Sequence, residues 1–285
     1  MVKIVLQKLG EIPEESERDI LGMIQECYER LEPHGVEILD LFLFSDPSSM
    51  HGFYSRERSA LHVVSEDLGE SFIAMHDAWR GSSRIGVCMS GLKALPVLIQ
   101  IGALRHEVGH SVLHGSMEYY VFPISAPLIQ AAKRLRLSKE YSFNLLYLIS
   151  IAVKDFEVAR LLSGKGYVED QVAYSNHVLG TSSEDLDAWQ LSKGNPARMA
   201  LCLAARMKDA ACLIALQSRL GGQFVADRIG AELSYLPDPI LNEMLKTLKR
   251  FPEAMVGDTF QNVAATAKMF LEDLLQPLFV QSQGG

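Results

Sequence analysis

Along residues 14–32, EESERDILGMIQECYERLE, the apolar positions Ile20, Met23, Ile24, Cys27 and Leu31 fall three or four apart. That spacing predicts a helix, and Pro33 and Gly35 end it. VEILDLFLF, 36–44, alternates and then runs apolar, which predicts a strand buried along much of its length. The polar run SDPSSMHGFYSRERSA reads as a connection, and short strands are predicted in ALHVVSE (60–66), SFIAMH (71–76) and SRIGVCMS (83–90). A helix follows from Lys93 to about His114. The strand signals stop near Ser90, and after Pro123 helical spacing predicts helices over 125–136, 138–163, 183–191, 195–219, 223–232, 238–249 and 259–278.

This order predicts an α+β protein. Residues 1–122 form an α/β part with a mixed sheet, and residues 123–285 form a mostly helical part. The 285 residues suffice for one large domain or two smaller ones with a real core. The formal charge of −8 argues against a nucleic-acid partner held by bulk positive charge. Cys27, Cys88, Cys202 and Cys212 show no C-x-x-C pair and read as buried thiols of a reducing compartment. The N-terminal stretch has no apolar run of signal-peptide length. The apolar runs ALPVLIQIGAL and LLYLISIAV fall short of the roughly 20 residues of a membrane span. A cytoplasmic protein without a membrane partner is expected. The Ala-, Met- and Cys-rich stretch GNPARMALCLAARMKDAACLIALQ reads as core, and the helical part is a candidate oligomerisation surface.

The chemistry concentrates in LRHEVGHSVLHG, 104–115, which contains H-E-x-x-H at His106, Glu107 and His110. Four residues turn a helix through about 400°, so both histidines leave one face, one turn apart. Two imidazole nitrogens so placed reach one Zn²⁺. Glu107 stands about 100° round the helix, off the ligand face but within reach of a water at the metal, where a carboxylate serves as general base. Three histidines stacked on a straight helix cannot all reach one ion, so His114 reads as a neighbour of the site or a helix-end residue.

A short strand followed by LRHEVGHSVLHG resembles the active-site helix of the zincin metallopeptidases, with roughly residues 60–165 covered by the likeness. The resemblance implies an edge strand that holds a peptide substrate, and a third protein ligand from downstream. The metzincin pattern of a third histidine fails, because Ser116 stands in its place. In NLLYLISIAVKDFEVARLL, 144–162, Asp155 and Glu157 are the candidates, and they lie about 200° apart. Asp155 shares its side with Leu148, Ile151, Val158, Ala159 and Leu162, whereas Glu157 shares a mixed side with Ser150, Lys154 and Leu161. An acid on an apolar stripe needs a buried partner, which favours Asp155 with Glu157 as the alternative. DFEVARLL also resembles the D-x-x-V segment of zincins that use aspartate; the acid that gluzincins carry four residues after their glutamate is missing.

A His₂-carboxylate zinc with an open position activates a water, and Glu107 takes its proton, which is amide hydrolysis without a covalent intermediate. Tyr119, Tyr120 and His177 are the candidate donors to the developing oxyanion. The expected function is that of a zinc metallopeptidase acting on a peptide or protein. The alternative is a non-catalytic zincin-fold protein with a structural zinc and a partner-binding helical half.

Overall fold

The computed structural model describes residues 1–60, 73–134 and 137–281. It is α+β: a four-stranded mixed sheet near the N-terminus is followed by helices to the C-terminus. The chain forms two compact units. The first contains residues 1–120 and 161–174, and the second contains 121–160 and 175–285.

In the first unit, β1 (Lys3–Leu9) leads through α1 (Glu14–Leu31) to β2 (Ile38–Phe44). Ile20, Ile24, Cys27, Tyr28 and Leu31 are the buried face of α1, as its spacing predicts. The next helix, α2 (Pro47–Ala60), occupies the polar run read as a connection. Its start explains the difference. Asp46 Oδ1 accepts from the backbone N of Ser49 at 2.9 Å, and Pro47 sits at the first helical position. Asp-Pro-Ser-Ser is thus a helix-start signal, and α2 buries only a few side chains, Met50 and Tyr54 among them. The strand expected at 60–66 falls almost wholly outside the described residues. β3 (Ala74–Asp77) and β4 (Arg84–Cys88) come next.

The sheet order is β1-β2-β4-β3. β1, β2 and β4 are parallel, and β3 runs antiparallel to β4. β1 carries no strong alternation and was not anticipated. β4 is buried at every position, as suits an interior strand. The edge strand beside the motif helix is therefore β3, and the strand directly upstream of that helix lies inside the sheet. Phe42, Phe44, Met50, Tyr54 and Cys88 form a buried apolar cluster under α2. A Cβ on Gly86 would stand 2.5 Å from the Tyr54 hydroxyl, so only glycine lets α2 approach β4 this closely.

The helix expected from Lys93 is two helices. α3 (Met89–Lys93) ends before Pro96, and α4 (Val97–His114) begins after it, because Pro96 favours extended backbone before it and starts a new helix well. α4 packs in this unit on α1, β3 and the start of α7 (Glu169–Leu179), a helix the sequence reading did not anticipate. Tyr28 and Ser111 share a buried hydrogen bond at 2.6 Å between their hydroxyls. Arg105 pairs with Asp170 at 3.3 Å and Glu26 at 3.1 Å. Gln171 donates to the carbonyl of Gly102 at 3.0 Å. This close seat is why residues 161–174 group with the first unit.

In the second unit, α5 (Ala126–Arg134) precedes α6 (Lys139–Gly164), whose last turn counts with the first unit. α8 (Ser183–Ser192), α9 (Pro196–Ala215), α10 (Gln217–Leu220), α11 (Gly222–Glu232), α12 (Asp238–Arg250) and α13 (Thr259–Met269) follow, with a π-helical turn Phe270–Leu275 before α14 (Gln276–Gln281). The Ala- and Met-rich segment is α9. Its Leu203, Ala204, Met207, Ala210, Ala211 and Ile214 are fully or nearly fully buried in the apolar core, as expected of it. All four cysteines are free thiols; Cys27, Cys88 and Cys212 are buried and Cys202 is half-buried. Among the described residues, no helix is long and apolar enough to cross a membrane.

The seat of α4 on α7 makes a direct prediction. A Cβ on Gly102 would meet the backbone oxygen of Asp170 at 2.4 Å and Tyr174 Cβ at 2.7 Å. Gly102→Ala should therefore destabilise by about 1–3 kcal/mol. Gly22, inside α1, has nothing within 4 Å of its Cβ position, and Gly22→Ala should stabilise by about 1 kcal/mol. Thermal melts of both variants check the contrast, and a neutral Gly102→Ala would mean that α7 does not press on α4.

Candidate metal site on the motif helix

The first half of α4 is apolar and its second half carries the motif. His106 is 2% exposed, Glu107 6% and His114 0%, while His110 is half-buried. Polar groups buried this deeply on a helix need partners. The histidines find some of them in one another. His106 Nε2 and His110 Nε2 are 3.1 Å apart, with the rings at 81°. Two nitrogens at this distance either share one proton or flank one ion. Ligands 2.0–2.1 Å from a tetrahedral zinc stand about 3.4 Å apart, so the pair fits a zinc with only a few tenths of an ångström of adjustment. His110 Nδ1, on the other side of its ring, is 3.2 Å from His114 Nδ1.

The surroundings of this row are aromatic and polar. The Tyr174 ring packs on His106 with centroids 4.9 Å apart. His76, at the third position of β3, lies parallel to His110 at 6.1 Å. His76 Nε2 is 2.8 Å from Ser83 Oγ, and its Nδ1 is 3.0 Å from the Tyr120 hydroxyl. The Tyr119 ring stands edge-on to His114 at 5.2 Å. Of the three candidate oxyanion donors, Tyr119 and Tyr120 thus border the histidine row within this unit. His177 is exposed on α7 and belongs to the second unit. His76 and Tyr174 were missed. His76 was visible only as the end of a predicted strand, and Tyr174 lies on the helix that escaped notice.

Glu107 contributes to the field at Tyr54. Burial is the main cause holding the Tyr54 hydroxyl far above its ordinary value, with Asp77 next and Glu107 adding to it. Asp77 is itself pushed up to about 6 by burial, against the pull of Arg84, whose Nε donates to it at 2.8 Å.

Asp155 and Glu157 lie in the second unit and are described there. Asp155 is half-buried. The thiol of Cys212 lies 3.8 Å from its backbone oxygen. Burial would lower Lys208, but Asp209 and then Asp155 outweigh it and hold that ammonium above its ordinary value. Glu157 is the more enclosed acid, at 7% exposure. It accepts from Asn262 Nδ2 at 2.6 Å and from Thr259 Oγ1 at 2.8 Å, both on α13. The apolar-stripe argument therefore misjudged which acid is buried. Glu157 is buried because α13 brings it two donors, which the wheel of α6 alone does not contain. Its two oxygens are engaged in holding α13.

No family model, curated protein or solved structure matches this chain. The functional reading therefore rests on the residues themselves.

Glu157→Ala removes an acceptor from two partly or fully buried donors and should cost about 2–3 kcal/mol. Zinc content at saturation should stay at the wild-type level. Elemental analysis beside a thermal melt checks both, and a stable variant that has lost its metal would make Glu157 the ligand instead.

Proposed function

We propose that this protein is a zinc-dependent metallopeptidase of the cytoplasm, acting on a peptide or protein substrate. The observation that carries the reading is the convergence of His106 Nε2 and His110 Nε2 to 3.1 Å, with the buried Glu107 one position along the same helix. His106 and His110 would hold the ion. A zinc ion bound there supplies Lewis acidity, which polarises an amide carbonyl and lowers the pKa of water towards 7.

The chain's own groups do the rest. Glu107 accepts the proton of the attacking water as its oxygen bonds to the carbonyl carbon. It then delivers that proton to the leaving nitrogen as the C–N bond breaks. Its place beside His106 on the same helix, at 6% exposure, suits this double role, because the carboxylate stands next to the proposed ligand pair and largely out of bulk water. β3 ends the sheet order beside α4, and an extended peptide pairs naturally with such an edge. Tyr120, anchored to His76 on β3, is the candidate donor to the oxyanion.

Purified protein should carry about one Zn²⁺ per chain, and the double change His106→Ala, His110→Ala should abolish it. Glu107→Gln should keep the metal yet lower turnover of a mixed peptide library by about 10²–10⁴. Equal cleavage by both forms at full metal occupancy would sink the general-base role. Full zinc with no cleavage by the wild type would favour the non-catalytic zincin-fold alternative.

A further inference from the structure

His114 has no role in the ligand set, yet it is fully buried at the end of α4 and its Nδ1 faces His110 Nδ1 at 3.2 Å. We infer that His114 is a positioning residue that fixes the tautomer of His110 and so turns its Nε2 lone pair towards the metal. The inference rests on the zinc reading above.

The logic follows the protons. A neutral imidazole carries one N–H, and the other nitrogen is an acceptor. If His110 Nε2 gives its lone pair to a cation, its proton must sit on Nδ1. That N–H points at His114 Nδ1, which must then be the acceptor. With Nδ1 accepting, the proton of a neutral His114 would sit on Nε2. Each step concerns which nitrogen holds a proton at constant charge. His114 cannot be a third ligand to the same ion, because it stands eight residues from His106, about 12 Å along the axis. It presents its Nδ1 to His110 rather than to the point between the two Nε2 atoms. The Tyr119 ring, edge-on at 5.2 Å, restrains the imidazole in that orientation. Metal-ligating histidines are commonly oriented by such an acceptor, and its loss costs 10–100-fold in metal affinity.

Two measurements test this. In zinc-loaded wild type, long-range ¹H–¹⁵N correlation spectra should show His110 protonated at Nδ1 and His114 protonated at Nε2. In chelator competition, His114→Leu should weaken zinc binding 10–100-fold. His114→Asn, whose side-chain oxygen restores an acceptor, should recover most of that loss. A residue that only fills space would give the opposite pattern, with both variants lowering the melting temperature and neither moving the zinc affinity. Zinc-loaded protein with His114 protonated at Nδ1, or equal affinity in wild type and His114→Leu, would overturn the inference while leaving the metal site standing. Wild type that takes up no zinc would overturn the metal reading itself.

Discussion

The first unit depends on one constraint: an α-helix repeats its direction every four residues, and α4 uses that repeat to stack imidazoles inside a protein interior. Burying His106 and His114 almost completely, with Glu107 beside them, would be costly if the groups were strangers. The three histidines are partners instead. Each histidine meets the next at hydrogen-bond distance, Nε2 to Nε2 and then Nδ1 to Nδ1. His110 alternates its two nitrogens between its neighbours, Nε2 to His106 and Nδ1 to His114.

The scaffold around it serves to hold this helix still. Tyr28 and Ser111 pin α4 to α1, Gly102 lets the backbone of α7 lie directly on it, and Arg105 reaches both Glu26 and Asp170. Such fixation holds the histidine row in one geometry. The second unit has a different character. α9 is sheathed in apolar contacts, and its buried charges, such as Arg206 with Asp209, are paired locally. Glu157 belongs to that internal logic, bound to α13.

The legible parts of the sequence were those where one periodicity ruled. α1, α9 and α12 each show a clean apolar stripe, and the end of the strand signals near Ser90, with helical spacing beyond, made the α+β order readable. His106, Glu107 and His110 were legible because the motif fixes their relative geometry through the helix alone. What escaped depends on contacts that no local window contains. β1 is an edge strand with mixed exposure. α2 is announced only by its Asp-Pro start. α7 is recognised by where it rests, on Gly102, more than by its own pattern. His76 reaches the histidine row through strand pairing, and Glu157 is buried by residues about a hundred positions downstream.

The central claim is that His106 and His110 hold a zinc ion with a position left open for water. Zinc K-edge X-ray absorption on the loaded protein tests it most directly. The account predicts a first shell of nitrogen and oxygen at about 2.0–2.1 Å, with the outer-shell scattering of two imidazoles and no dominant sulfur shell. Loss of the imidazole scattering in the His106→Ala, His110→Ala protein should follow. A sulfur-rich shell near 2.3 Å, or a zinc spectrum unchanged by removing both histidines, would contradict it.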